Sequence, residues 1–238
     1  MSVLTDALTV GLGSRVRVNS PVSSIEYAGG QYTLHLADGS SEDFDSVVLA
    51  APAWAQAKIL AEVSPVVSGL LDEIPYPALS VVCLGFRKED VADRMDGFGF
   101  LVPSREGRGI LGTVADSNVF PGRAPEGMVL LRTMVGGARS PHLAELQDDQ
   151  LLERVLSDLR DIMGLAAEPS FAKIYRHKRA IPQYLVGHAD RLDAIGAELK
   201  PFPGLVLTGN AFRGVSLNDC VLNAEKTART LLEGPFDG

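Results

Sequence analysis

Hydrophobic positions along this chain of 238 residues change period several times, and each change marks an element. Between residues 15 and 50 the runs "RVRVNSPVSSIEY", "QYTLHLA" and "DSVVLAA" are β-rich. Gly29-Gly30 and Asp38-Gly39 supply turn chemistry between them, so the pattern predicts a β meander with two hairpins. The last run, from Val47 to Ala50, is continuously apolar and stops at Ala51-Pro52, as a strand buried on both faces would. Trp54 to Leu71 reads as helix interrupted at Pro65, and "LSVVCLGFR" follows as a strand.

Residues 95 to 137 are glycine-rich, and "GFGFLV", "GILGTV" and "MVLLRTMV" predict an antiparallel sheet with long loops. Ser140-Pro141 then offers a cap with proline at the first helical position. Leu146, Leu152, Val155, Leu156, Leu159, Ile162 and Met163 recur near helical spacing until Gly164 stops them. "FAKIYRHK" returns to strand, "AIPQYLVGHADRL" passes from loop into helix, and "GLVLTGN" is a final buried strand. Gly214 lets the backbone turn after it, and Asn218 is expected to cap a helix whose apolar face is Val221, Ala224, Ala228, Leu231 and Leu232. Strand-rich α/β pieces thus flank a mixed middle, which suggests one discontinuous domain with a second inserted in it.

Composition narrows the classes. Apolar content of 46% with 22% charged residues excludes a globally disordered chain. A net charge of -8, with no basic patch interleaved with aromatics, argues against a nucleic acid partner. Cys83 and Cys220 are too few and too far apart for a zinc site and read as free thiols, while His35, His142, His177 and His188 are scattered. The stretch "MSVLTDALTVGLGSRVRV" has no basic segment followed by an apolar core, so it does not read as a signal peptide. "VVLAAPAWAQAKILAEV" is cut by Pro52, Gln56 and Lys58, short of the roughly 20 apolar residues that a spanning helix needs.

A literal G-x-G-x-x-G occurs as "GRGILG", Gly107 to Gly112. Dinucleotide fingerprints follow a strand and open a helix, whereas this one follows "VPSRE" and enters β-prone "TVADSNVFP", so a hairpin turn is expected. Ser216 in "GVSLN" has Asn218 where a nucleophile elbow needs glycine. The C-terminal turn is more informative, because backbone N–H groups at a helix start can donate to phosphate or carbonyl oxygens.

"GNAFRGVSLNDC" resembles the C-terminal flavin-contacting motif of the oxygen-dependent protoporphyrinogen oxidases, amine-oxidase-like FAD flavoproteins. "GFGFLVPSREGRGILGTVADSNVFPGRAPEG", "VLLRTMVGGARSP", "AIPQYLVGHADRL", "NSPVSSIE" and "FDSVVLAAPA" agree in order, so the resemblance covers nearly the whole chain. It implies a fold of α/β and α+β class: a partial FAD-binding domain at residues 1–55 and 200–238, lacking its N-terminal Rossmann βαβ, with a mixed-sheet substrate-binding domain inserted at 56–199. By position, Val22 would meet the adenine side of FAD through its backbone, and Val215, Ser216 and Leu217 would lie by the flavin. Leu101 and Phe120 match apolar positions that hold the tetrapyrrole. No catalytic acid or base is implied, since the hard chemistry is the cofactor's.

The implied activity is a step of heme and porphyrin biosynthesis, the six-electron oxidation of protoporphyrinogen IX to protoporphyrin IX with O2. Coproporphyrinogen III is the alternative substrate, with Arg132 and Arg139 as candidate propionate contacts or plain surface residues. Compared with the family, the chain starts at a point well inside and lacks the strand, G-x-G-x-x-G turn and helix that bind the diphosphate. It is therefore expected to be inactive alone, with FAD binding weak or lost, and to need a missing N-terminal half. A reading of another class is a non-catalytic module that binds a tetrapyrrole or a partner. A cytoplasmic location is expected; peripheral contact with the inner face of the cell membrane and homo-oligomerisation stay open.

Overall fold

The computed structural model describes residues 2–91 and 97–233. In chain order the elements are α1 (Ser2–Leu12), β1 (Val22–Ala28), β2 (Gln31–Leu36), β3 (Ser41–Phe44), β4 (Val47–Leu49), α2 (Ala53–Ile59), α3 (Pro65–Asp72), β5 (Leu79–Arg87), α4 (Lys88–Val91), β6 (Gly99–Leu101), β7 (Ile110–Ala115), α5 (Asp116–Val119), β8 (Met128–Gly136), α6 (Asp148–Met163), β9 (Phe171–His177), α7 (His188–Glu198), β10 (Leu205–Leu207) and α8 (Leu217–Glu233). They form two units: Met1–Ile74 with Tyr184–Gly238, and Pro75–Gln183.

In the first unit, β1, β2 and β3 form the antiparallel meander, turned at Gly29-Gly30 and at Asp38-Gly39. Its third strand is Ser41–Phe44, not the apolar run after Asp45. "SEDF" is mostly exposed, so it carries no apolar signal, and the run expected to complete the meander pairs elsewhere. Val47–Leu49 lies parallel to β10, with Val47 opposite Leu205 and Leu49 opposite Leu207. Tyr32, fully buried, stacks near Tyr27 at 4.6 Å and donates its hydroxyl to the Pro203 carbonyl at 2.9 Å. Burial pushes that phenol up to about 12, so it stays a donor across the ordinary pH range.

Helices α2 and α3 break at Pro65 as the sequence predicts, with the Ser64 hydroxyl accepting from the Val67 N–H at 3.3 Å. The boundaries expected near residues 55 and 200 fall inside this first unit. α2 packs on β1, α3 packs on α7, and Arg191 donates to Glu73 at 3.0 Å, so both helical segments belong with the meander. No residue of α1 is buried.

The second unit is a five-stranded antiparallel sheet in the order β6-β7-β8-β5-β9. Alternation along β5 and β8 sends Val82, Leu84 and Phe86 with Val129, Leu131 and Val135 onto one face. There they pack with Leu151, Val155 and Leu159 of α6. Two threonines share this face, and Thr113 and Thr133 satisfy each other through a 2.9 Å hydrogen bond. The long helix starts at Asp148 rather than at Ser140: Pro141–Glu145 is a short tight helix and Leu146 is extended (φ −55°, ψ 150°), so its apolar side chain packs on the core from outside α6.

"GRGILG" sits in the β6–β7 hairpin, where Gly107 closes a short helical turn and β7 begins at Ile110. Its N–H groups face a protein carboxylate: buried Asp158 of α6 accepts from Gly109 at 2.8 Å and from Ile110 at 3.1 Å. Arg154 lies 3.7 Å from the same carboxylate. Asp158→Ala should destabilise the protein by about 1–3 kcal/mol for each orphaned donor, as read by urea denaturation. A loss below ~0.5 kcal/mol, the level of an ordinary surface substitution, would contradict this role.

Candidate functional site

Because β4 and β10 are parallel, the segments that follow them leave from the same end of the pair. In α/β folds that carboxyl end is where ligands bind. Gln56, fully buried on α2, ties the two segments together: its amide donates to the Ala51 carbonyl at 2.6 Å and to the Thr208 carbonyl at 2.9 Å. The loop from Gly209 to Gly214 is then held from three sides. Tyr184 donates its hydroxyl to the Asn210 carbonyl at 2.7 Å and accepts from the Gly214 N–H at 2.9 Å. Buried Asn223 of α8 donates to the Arg213 carbonyl at 3.0 Å. Gly214 turns at φ +112°, and a Cβ there would stand 2.5 Å from Asp219 Oδ2, so both conformation and space require glycine.

Ser216, not Asn218, caps α8. Its hydroxyl accepts from the Asp219 N–H at 3.1 Å, while the Asp219 carboxylate accepts from the Ser216 hydroxyl at 2.6 Å and from the Ser216 N–H at 3.1 Å. This is the reciprocal box of a Ser-x-x-acid start, and Asn218 already lies in the first turn. The Ser216 hydroxyl, followed by its N–H, holds the Asp219 carboxyl below its ordinary value. A negative charge therefore already sits at this helix start. An added phosphate would meet it rather than a free dipole.

What the segment presents instead is apolar, since Val215 and Leu217 are exposed. Such a pair offers apolar contact to a ligand rather than hydrogen bonds. The face of α8 expected to be buried is largely outward: Val221, Ala224, Ala228 and Leu232 are exposed and Leu231 is half-buried, while the inner side carries Asn223. Val22 opens β1 opposite Leu36, and no hydrogen bond joins it to Val215–Leu217 among the described residues.

The second unit has a recess of about 360 Å³ at one end of the sheet face that α6 leaves uncovered. Leu79, Leu101, Val102, Leu111, Met134, Ala180 and Ile181 line it, with Arg139 as its cationic side chain. Leu101 is 82% exposed at the rim. Phe120 is not among the lining residues; it follows α5 with the Arg123 guanidinium 5.5 Å from its ring centre. Arg132 donates to the Asp116 carboxylate at 2.8 Å, whereas Arg139 donates to the Val102 carbonyl at 3.4 Å.

Tyr184, Asn223 and Gln56 were not anticipated. Tyr184 and His188 both fall in "YLVGH", four residues apart, and that spacing was the available signal.

Stability of the α8 start is open to test. Ser216→Ala should cost about 1 kcal/mol in urea denaturation. Asp219 contributes above its unfolded-state value, and the contribution is lost as pH falls through its lowered folded value. The stability gap between wild type and Asp219→Asn should therefore close in acid; a gap that persists there would contradict the cap.

A parallel strand pair whose following segments are braced, in a discontinuous unit interrupted by a five-stranded sheet, defines an α/β scaffold with a second unit inserted in it. The sequence model for "Flavin containing amine oxidoreductase" matches residues 1–232, and the chain belongs to this family. It is 34% identical over 242 aligned positions to the chloroplastic protoporphyrinogen oxidase of Nicotiana tabacum, covering 96% of this chain and 44% of that protein. Against the coproporphyrinogen III oxidase of Bacillus subtilis (strain 168) it is 32% identical over 209 positions, covering 87% of this chain and 44% of that protein. A crystal structure of a provisionally named protoporphyrinogen oxidase from Exiguobacterium sp. 255-15 superposes with a TM-score of 0.83 at 30% identity, covering 98% of this chain and 51% of that one. At 16% identity, cyclohexylamine oxidase from Brevibacterium oxydans IH-35A shares the fold over 98% of this chain and 52% of its own, with a TM-score of 0.75. The chain spans about half the length of the relatives it matches.

Proposed function

We propose that this chain supplies the flavin-ring wall and the substrate-facing unit of an FAD-dependent protoporphyrinogen oxidase, which converts protoporphyrinogen IX to protoporphyrin IX with O2. The observation that carries the reading is the loop from Gly209 to Leu217. It is braced at the carboxyl end of a parallel strand pair, its helix start is already occupied by Asp219, and it offers apolar Val215 and Leu217 outward. Exposed apolar side chains of this kind suit contact with a ring face.

When bound, FAD supplies the electron-accepting ring, which takes reducing equivalents from the substrate and passes them to O2. The chain's own residues bind and orient. Val215 and Leu217 contribute apolar contact, Ser216 fixes the helix start beneath them through Asp219, and the Val22 backbone faces the adenine side. Leu101 packs on a tetrapyrrole ring at the rim of the recess, and Phe120 extends the apolar contact beyond it. Apolar walls exclude water from the reacting methylene bridge.

Protoporphyrinogen is favoured over coproporphyrinogen III by the charge of the recess. Arg139 is its cationic lining residue, and Arg132 is engaged by Asp116. Each carboxylate taken out of water needs a partner, so a sparse cation supply suits the substrate with fewer propionates.

The diphosphate needs free backbone donors at a helix start, which neither the β6–β7 hairpin nor the capped start of α8 offers. The diphosphate then falls to a segment outside this chain, of the kind that fills the remaining length of the relatives. Apolar side chains at Val3, Leu8 and Val10 of α1, Val48 of β4, and Val221 and Leu232 of α8 are exposed and would be covered by that segment. We place the protein in the cytoplasm, with Cys83 and Cys220 as free thiols. No described helix is long and apolar enough to cross a membrane.

Purification of the chain should yield a protein without stoichiometric visible flavin absorbance. FAD retained one to one through gel filtration would overturn the division of the cofactor site proposed here.

A further inference from the structure

We propose that Tyr184 is a positioning residue for the ring-facing loop: its hydroxyl locks both ends of the Gly209–Gly214 turn and so fixes where Val215 and Leu217 stand. The inference rests on the assignment of that loop to the flavin ring. It concerns a residue for which the family resemblance supplied no role.

Three observations carry it. First, the hydroxyl is a bridge: it donates to the Asn210 carbonyl at 2.7 Å and accepts from the Gly214 N–H at 2.9 Å, two backbone groups four positions apart on one turn. Burial comes first among the causes that raise its pKa, and the protonated hydroxyl is the form that can donate. Second, the loop has few bonds of its own. Within it, Phe212 donates to the Gly209 carbonyl at 3.3 Å, and Gly214 holds φ +112°, a conformation that the free chain samples among many others. Third, the phenol ring is itself fixed. It stacks on the His188 imidazole with centroids 4.1 Å apart and planes 10° from parallel.

His188 is 7% exposed, and neither ring nitrogen has a hydrogen-bond partner among the described residues. The imidazole therefore serves the brace through its ring face, as a platform for Tyr184. Its backbone supports the same arrangement, since the His188 N–H donates to the Leu185 carbonyl at 3.0 Å at the start of α7. The chain thus runs from the helix start through the stacked rings to the turn, and from the turn to the surface that Val215 and Leu217 present.

Tyr184→Phe separates this role from simple packing, because it keeps the stacked ring and removes the hydroxyl. Amide hydrogen exchange of the chain is the measurement, made on the chain without FAD and then with FAD in excess together with a polypeptide carrying the N-terminal strand, G-x-G-x-x-G turn and helix of a relative. In Tyr184→Phe the melting temperature should stay close to wild type while the amides of Gly214 to Leu217 exchange roughly five- to ten-fold faster, the effect of one lost hydrogen bond. In wild type, excess FAD should slow the same amides, and the slowing should be smaller in the variant. Equal exchange in the two chains without FAD overturns the brace. Faster exchange in the variant, with no effect of FAD on the wild-type loop, overturns instead the assignment of the loop to the flavin and with it the positioning role.

Discussion

Everything at the candidate cofactor site depends on three residue pairs formed in parallel across a gap of more than a hundred positions. β4 and β10 come from opposite ends of the chain, and the register of Val47 with Leu205 sets where both following segments emerge. Two neighbours hold that register. The Val47 N–H donates to the Gly204 carbonyl at 2.9 Å and the Thr208 N–H to the Leu49 carbonyl at 2.9 Å, extending the ladder at each end. Gln56 then closes it with one buried amide on two carbonyls. Short parallel pairs are weak alone, so these side-chain ties contribute much of the geometry.

Such a pairing explains how a chain can carry an insertion without disturbing its site. Residues Pro75–Gln183 build their own core around α6 and need nothing from the strand pair to do so. The two units also handle charge differently. In the inserted unit, Asp158 is buried and repaid by two backbone N–H groups and nearby arginines, a device that stiffens a hairpin. In the discontinuous unit, Asp219 performs the corresponding task at a helix start, and by doing so makes that start unsuitable for a phosphate. A Gly-rich turn before a helix is therefore compatible with opposite roles, depending on which group occupies the first N–H donors.

Elements whose partners are local or whose apolar period is strong were legible in the sequence. The alternation of β5 and β8, the helical spacing up to Gly164 and the break at Pro65 all depend on residues close together in the chain. What was missed depends on distance or on polarity. β3 is "SEDF", a strand without an apolar face, so the run that follows it was assigned to the meander. Asn218 and Ser216 are both good cap residues, and the choice turned on the Asp219 carboxylate facing the hydroxyl. The unit boundaries lie at Ile74 and Tyr184 because α3 and α7 meet, a contact between segments over a hundred residues apart. The family motif pointed to Val215–Leu217, but Tyr184 and Asn223 become visible as supports only once the loop is folded over them.

We propose that the chain is one part of a flavin oxidase, with the ring wall and the substrate-facing unit on this chain and the diphosphate site on another segment. Its most direct test is complementation. The purified chain is mixed with a separately made polypeptide carrying the N-terminal strand, G-x-G-x-x-G turn and helix of a relative, together with FAD and protoporphyrinogen IX, and porphyrin fluorescence is followed in air. Fluorescence should rise above the spontaneous rate when both polypeptides and FAD are present, and not with this chain and FAD alone. Full oxidation by the chain and FAD without the second polypeptide would contradict the account, as would a flavin-loaded complex of the two that leaves the porphyrinogen untouched.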